Sequence, residues 1–209
     1  MLLKIFPEFS DKFVVIKNMI SLKLIHKMSE ANVNIEKKKG YIYICTVGRL
    51  VHAKGIDIAA KICKKLTDKG YNICWLICGE GNERNNIENI IRRYKIENNF
   101  LLLGAQTNPY KYMKFCDIYV QPSRYEGYGI TVAEAKALCK PIIASAIPEF
   151  KEQIINKKTG LLYNNEDELF YIMQKIISNI SLCDSVIKNL RELRDVEDLS
   201  ELKTLEGLM

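Results

Sequence analysis

From Tyr41 onward, short β-branched or aromatic runs alternate with amphipathic stretches at regular spacing, the pattern of βαβ units. The strand candidates are Tyr41 to Val47, Asn72 to Cys78, Phe100 to Leu103, Ile118 to Gln121, Pro141 to Ala144 and the weaker Gly160 to Tyr163. The first two are nearly continuous apolar runs, as in strands covered on both faces. Between the strands, Ile56, Ala59, Ala60, Cys63 and Leu66 share one helical face, as do Ile87, Ile90, Ile91 and Tyr94, and later Leu169, Ile172, Met173, Ile176 and Ile177. Crossover helices of this kind join parallel strands. With right-handed crossovers and short loops, the economical α/β topology is a Rossmann-like doubly wound parallel sheet. The chain has no internal repeat and no low-complexity tract.

The two ends break the pattern. Lys12 to Asn18 reads as a strand, Leu22, Ile25 and Met28 as one helical face, and Glu36-Lys37-Lys38-Lys39-Gly40 as a linker. One strand and one helix cannot bury a core, so residues 1–40 are expected to be the trailing edge of a preceding unit with its linker. Residues 41–180 form the expected Rossmann-like domain and 181–209 a helical tail. In the tail, Leu190, Leu193, Val196, Leu199 and Leu202 recur at roughly helical spacing, which predicts a surface helix, with docking onto a partner as an option.

The 209 residues are 48% hydrophobic and 27% charged, close to the average for a soluble globular protein, which makes one sizeable core feasible. No run of ~18 apolar residues occurs, and Met1 to Pro7 is too short for a signal peptide, so the expected compartment is the cytosol. Seven cysteines, at 45, 63, 74, 78, 116, 139 and 183, are an odd number without C-x-x-C spacing, which supports neither disulfides nor a metal cluster. Cys74 and Cys78 lie four steps along one apolar run, roughly 13 Å apart if extended; they read as buried small hydrophobes in a reducing compartment. The net charge of +6 is spread along the chain. It permits an anionic ligand or an acidic membrane face, but no basic stripe interleaved with aromatics points to nucleic acid.

In an open parallel sheet, ligands bind outside the carboxyl ends of the strands, so the loops there carry the candidate chemistry. After the first strand comes Gly48-Arg49-Leu50-Val51-His52-Ala53-Lys54-Gly55, two cations bracketing a turn that opens a helix. Free helix N–H groups, a glycine and two flexible cations suit an anion such as a diphosphate; solvated charges beside a turn are the other reading of this loop alone. After the second strand, Gly79-Glu80-Gly81-Asn82-Glu83-Arg84 lacks the third glycine of the dinucleotide fingerprint and follows the wrong strand. Its glycines read mainly as turn formers, against a nicotinamide cofactor.

The densest stretch follows the fourth strand: Gln121-Pro122-Ser123-Arg124-Tyr125-Glu126-Gly127-Tyr128-Gly129-Ile130-Thr131-Val132-Ala133-Glu134-Ala135. A helix starting near Gly129 makes the amides of Gly129, Ile130 and Thr131 an anion cradle. Glu134 lies about 7 Å along the axis, and helical side chains lean back toward the N-terminus, close to that cradle. Two carboxylates repel phosphate, so Glu126 and Glu134 are expected to accept from hydroxyls. Phosphate flanked by polyol describes a nucleotide sugar. Taken singly, each carboxylate also fits a blander role, Glu134 on the helix dipole and Glu126 in solvent; the glycines flanking Tyr128, with Pro122, speak against this for the set.

Val47-Gly48-Arg49-Leu50 with Lys54-Gly55, Cys116 to Gly129 running on to Glu134-Ala135, Lys140 to Ser145, and Thr159-Gly160-Leu161-Leu162 together resemble the C-terminal, donor-binding domain of GT-B glycosyltransferases of family 4 (group 1). The resemblance covers about residues 41–180, and Glu126-x7-Glu134 matches that family's E-x7-E motif. It implies sugar transfer from a nucleoside diphosphate sugar, a UDP-hexose type in particular, with retention at the anomeric carbon, to a glycan or lipid-linked acceptor in surface polysaccharide biosynthesis. By the same resemblance Arg49 and Lys54 neutralise the diphosphate, Glu126 contacts sugar hydroxyls, Gly48 and Gly127 to Thr131 (with Tyr128, Gly129 and Ile130) line the sugar and phosphate, and Glu134 holds the ribose. No metal or other cofactor is implied.

Three departures stand out. Cys139 replaces the usual glycine before Lys140-Pro141, which reads as a packing change. Ala146-Ile147-Pro148-Glu149-Phe150 replaces a glycine-rich turn, with Glu152 as a candidate for the family's acidic position. The acceptor-binding domain is almost absent, and of the two histidines, His26 reads as packing or surface and His52 as a loop residue. The acceptor side is therefore expected from a separate protein or from the rest of a longer enzyme, and the inner face of the membrane is an allowed place of peripheral association. The alternative reading is a nucleotide-sugar-binding module without chemistry, or a fragment inactive without a partner acceptor domain; a receiver-type regulator is disfavoured because cations, not an acidic pair, follow the first strand.

Overall fold

The computed structural model describes residues 20–193. Six strands, β1 (Ile42–Val47), β2 (Ile73–Cys78), β3 (Phe100–Leu102), β4 (Ile118–Gln121), β5 (Ile142–Ser145) and β6 (Leu161–Tyr163), form one sheet in the order β3-β2-β1-β4-β5-β6. Every neighbouring pair is parallel. The order reverses between β1 and β4, which is the switch point of a doubly wound sheet. Here β1 and β4 are matched at Ile44 with Ile118 and Cys45 with Tyr119.

The connecting helices are α1 (Leu22–Ser29), α2 (Ile56–Asp68), α3 (Arg84–Tyr94), α4 (Tyr110–Phe115), α5 (Ile130–Ala137), α6 (Pro148–Gln153) and α7 (Glu166–Ser178), and residues 184–193 are also helical. Period-two alternation along the strands divides the core into two layers. Ile44, Trp75, Ile77, Ile118, Val120 and Ile143 face the layer of α2, α3 and α7, whose Ala59, Cys63, Ile87, Leu169 and Met173 are buried against them. Tyr43, Cys45, Leu76, Tyr119, Ile142 and Ala144 face Met113 of α4, Val132 and Ala135 of α5 and Phe150 of α6. Because both faces are covered, all six residues of β2 are buried. Trp75 is fully buried, and its indole N–H is satisfied by Thr46 Oγ1 at 3.0 Å.

The six strands expected from Tyr41 onward all form, shifted by at most a residue or so at their ends. Helices α4 and α6, each six residues long, are too short to show a helical period. Leu22 and Ile25 are buried as expected, with Met28 half-buried, and α1 packs onto the second layer through a small cluster with Ala137, Leu138 and Tyr110. The expected strand at Lys12 to Asn18 and the tail beyond residue 193 lie outside the described residues.

Two readings are refined. Gly81 does open a turn, closed by Arg84 N on Gly81 O at 3.1 Å, but neither Gly79 nor Gly81 has a positive φ, and close approach is what both permit: a Cβ on Gly79 would lie 1.8 Å from Gly48 O, and one on Gly81 2.3 Å from Leu50 O. They let the loop after β2 brace the loop after β1, with Leu50 N donating to Glu80 O at 2.9 Å. Cys139 is not simply a packing change. Its φ is +50°, in the left-handed region that favours glycine, so the departure is one of backbone conformation.

Candidate functional site

The switch point sets the loop after β1 against the loop after β4. A 3-10 turn, His52–Lys54, carries the first loop to Gly55, whose φ of +64° starts α2. A Cβ on Gly55 would lie 2.0 Å from Pro122 O, so the two loops meet backbone to backbone. Arg124 fastens the contact. Its amide donates to Ala53 O at 2.8 Å, and its guanidinium donates to His52 O at 2.8 Å and to both Asp57 oxygens at 2.8 and 2.6 Å. Burial pushes the Asp57 carboxyl up, but the Arg124 hydrogen bond and charge outweigh it and hold the carboxyl below its ordinary value.

Across this seam Lys54 Nζ donates to Glu126 Oε2 at 2.5 Å. The other Glu126 oxygen ends a relay rooted in β4: Tyr119 OH donates to Gln121 Oε1 (2.7 Å), Gln121 Nε2 to Ser123 Oγ (3.0 Å), and Ser123 Oγ to Glu126 Oε1 (2.7 Å). The Glu126 side chain is only 5% exposed and that of Lys54 19%, so the pair is shielded from solvent and its charges matter more than those of a surface pair. Gly48 lies under the Lys54 stem: a Cβ there would be 3.5 Å from Lys54 Cγ and Cδ.

Gly129 opens α5 with φ +82°, and a Cβ there would lie 2.4 Å from Phe150 Cε1, which excludes any side chain. No side chain caps α5, leaving its first amides available to an anion. Thr131 Oγ1 lies 3.4 Å from Gln121 Oε1, and Tyr128 O accepts from Gln153 Nε2. One turn along, Glu134 Oε1 accepts from Tyr110 OH at 2.9 Å. Burial pushes the Glu134 carboxyl above its ordinary value, with the Tyr110 hydrogen bond pulling the other way. Burial and the same carboxylate push the Tyr110 phenol up to about 12.

Lys54 and Glu126 meet directly across the loops after β1 and β4, a lysine partner for Glu126 that the sequence reading did not anticipate, and α5 opens three residues beyond Glu126 at Gly129. Arg49 is exposed and its side chain makes no hydrogen bond or ion pair among the described residues, while Gly127 borders open space and Ile130 is 42% exposed. His52 is a loop residue whose carbonyl serves Arg124. Three contacts at the site escape sequence reading: Tyr110 on Glu134, Arg124 on Asp57 and the Gln121–Ser123 relay. The first two join residues 24 and 67 positions apart, and no motif spacing signals them. Among the described residues, no group of three or more His, Cys, Asp or Glu side chains could hold a metal ion, and no helix is long and apolar enough to cross a membrane.

The fold and site define an α/β domain that carries a shielded lysine–carboxylate pair, a helix N-terminus without a side-chain cap and a second carboxylate on the elements at its switch point. The chain belongs to the glycosyl transferases group 1 family, whose pattern matches residues 28–193. The capsular polysaccharide biosynthesis glycosyltransferase CapM of Staphylococcus aureus is 28% identical over 185 residues, which cover 87% of this chain and 46% of CapM. Among solved structures, S. aureus TarM in a complex that includes UDP matches with a TM-score of 0.75 at 23% identity, covering 96% of this chain and 40% of TarM. The C-terminal domain of the group 1 family protein LpcC from Francisella tularensis matches with a TM-score of 0.66 at 21% identity, covering 74% of this chain and 85% of that one. These two structural likenesses carry the fold. The chain spans less than half the length of the curated relatives it matches.

Proposed function

We propose that this chain is the donor-binding half of a retaining glycosyltransferase that moves a hexose-type sugar from a UDP-sugar to a glycan or lipid-linked acceptor in surface polysaccharide synthesis. The observation that carries the reading is the shielded Lys54–Glu126 pair beside the uncapped start of α5, with Glu134 one turn behind it. A diphosphate entering the crevice takes up Lys54 and the α5 amides, and the exposed Arg49 adds a second cation. Charge developing on the departing nucleotide is met by these fixed donors, and no metal is invoked. As Lys54 turns to phosphate, Glu126 is left an acceptor for sugar hydroxyls, aimed by Ser123. The backbone of Gly48 and of Gly127 to Thr131 lines the donor, and Glu134 accepts from the ribose.

The name of CapM supports the polysaccharide setting, and the UDP in the TarM complex supports the base. The acceptor is supplied by a second domain, either a separate protein or the remainder of a longer chain, and a lipid-linked acceptor brings the complex to the inner, cytoplasmic face of the membrane. Calorimetric titration of the chain with UDP, GDP and ADP, repeated on Glu134→Ala, tests the donor site. Saturable UDP binding weakened about tenfold or more by the substitution is expected; no binding of any of the three overturns the reading.

A further inference from the structure

Glu126 and Glu134 are held in opposite ways. Glu126 has both oxygens engaged, one by a cation. Glu134 has one carboxylate oxygen engaged, by the neutral phenol of Tyr110, and its side chain makes no other hydrogen bond or ion pair among the described residues. Its Oε2 therefore keeps its acceptor capacity, and its charge is not cancelled by a partner.

Tyr110 is itself well seated. It is the first residue of α4, whose opening turn is closed by Tyr112 N and Met113 N donating to Pro109 O, each at 3.0 Å. Its ring packs with Leu138 and Ile20 against Leu22, Ile25 and Ala137, where α1 meets α5. Two residues earlier, Asn108 Nδ2 donates to Met28 O at 2.8 Å, tying the segment before α4 to the end of α1. The phenol thus reaches Glu134 from a packed frame, and the carboxylate has one oxygen fixed before any ligand arrives. Ordering of this kind spares a ligand the entropy of freezing the side chain.

We infer that Tyr110 is a positioning residue: it fixes Glu134 Oε1 so that Oε2 is presented to the ribose hydroxyls of a nucleotide, and the pair makes the crevice select ribonucleotides over nucleotides that lack those hydroxyls. This rests on the donor reading above. A phenol suits the task because it orients the carboxylate without neutralising it, whereas a lysine in its place would compete with the hydroxyls for the same charge.

The test is titration of the full chain with whichever of UDP, GDP and ADP binds, and with its 2′,3′-dideoxy counterpart, for the wild type, Tyr110→Phe, Glu134→Ala and the double variant. Tyr110→Phe keeps the packed ring and removes only the hydroxyl. The wild type is expected to prefer the ribonucleotide. Tyr110→Phe should lose about 5- to 20-fold in affinity for it, while dideoxynucleotide affinity stays within about twofold. In the Glu134→Ala background, Tyr110→Phe should have no further effect, because the two act as one unit. Equal loss for both nucleotides, no loss, or a loss that persists without Glu134 overturns the inference and leaves the donor reading standing, as does a wild type indifferent to the hydroxyls. A wild type that binds none of the three nucleotides overturns both.

Discussion

The two ends of the central strands are both rich in charge, yet they use it differently. At the amino end, Asp117 accepts from the amide of Tyr43 at 2.8 Å and from Lys37 at 2.6 Å, and Lys140 Nζ donates to Lys114 O at 2.5 Å and Cys116 O at 2.7 Å. Most of these bonds end on backbone. At the carboxyl end, the decisive bonds join side chain to side chain: Lys54 to Glu126, Ser123 to Glu126 and Tyr110 to Glu134. A side-chain partner can be exchanged for a ligand atom without orphaning a peptide group, whereas a carbonyl released inside the fold has no substitute. The same sheet therefore offers one end that only holds and one end that can let go.

Gly55→Ala attacks the carboxyl end most directly. A Cβ 2.0 Å from Pro122 O, on a residue at φ +64°, cannot be housed without parting the loops. A loss of about 2–4 kcal/mol in urea unfolding is expected, together with loss of nucleotide binding; an unchanged midpoint would mean that the loops do not rest on each other.

Lys54→Ala comes next. Nucleoside diphosphate affinity should fall about 10- to 100-fold by calorimetry, the range for a charge-assisted bond. The substitution also strands Glu126, which is 5% exposed, as an unpaired charge. Lys54→Met combined with Glu126→Gln should therefore recover stability while leaving binding weak; recovery of both would assign the pair to the fold alone.

Lys140→Ala is the matching cut at the other end. Freeing two carbonyls at the end of α4 should cost about 1–2 kcal/mol in denaturant, with nucleotide affinity unchanged within about twofold. A clear drop in affinity would erase the distinction between the two ends.

Glu134→Gln has the smallest effect on the fold, and its sign is informative. Burial raises the carboxyl in the folded chain, so the stability it contributes is full below the ordinary carboxylate range and is lost as pH rises through the raised value. The amide variant should melt above the wild type near pH 7, by less than about 1 kcal/mol, and equal it near pH 4. Melting curves across that range decide it, and a variant less stable at neutral pH would show that Tyr110 more than repays the burial.

Much of this was legible in the sequence for physical reasons. A parallel sheet covered on both faces writes itself as apolar runs such as Ile73 to Cys78, and thirteen-residue helices such as α2 and α7 show a full period. Gly129 before a helix announced the start of α5, and its φ bears that out. Six-residue helices carry too little period to be seen, which hid α4 and with it Tyr110. Partner choice was equally hidden. That Lys54 spends its charge on Glu126, 72 residues away, and Arg124 on Asp57 follows only from the loops meeting at the switch point.

All seven cysteines are buried. Burial lifts the Cys45 thiol well up and that of Cys63 to about 12, so in the intact fold neither is accessible or ionised enough to react. They are spread over several elements, Cys45 on β1, Cys74 and Cys78 both on β2, Cys63 on α2 and Cys183 after α7. Alkylation at any one of them is then a clock for the opening of that element, and the chain carries, without labels, a set of internal timers for the order in which its layers come apart.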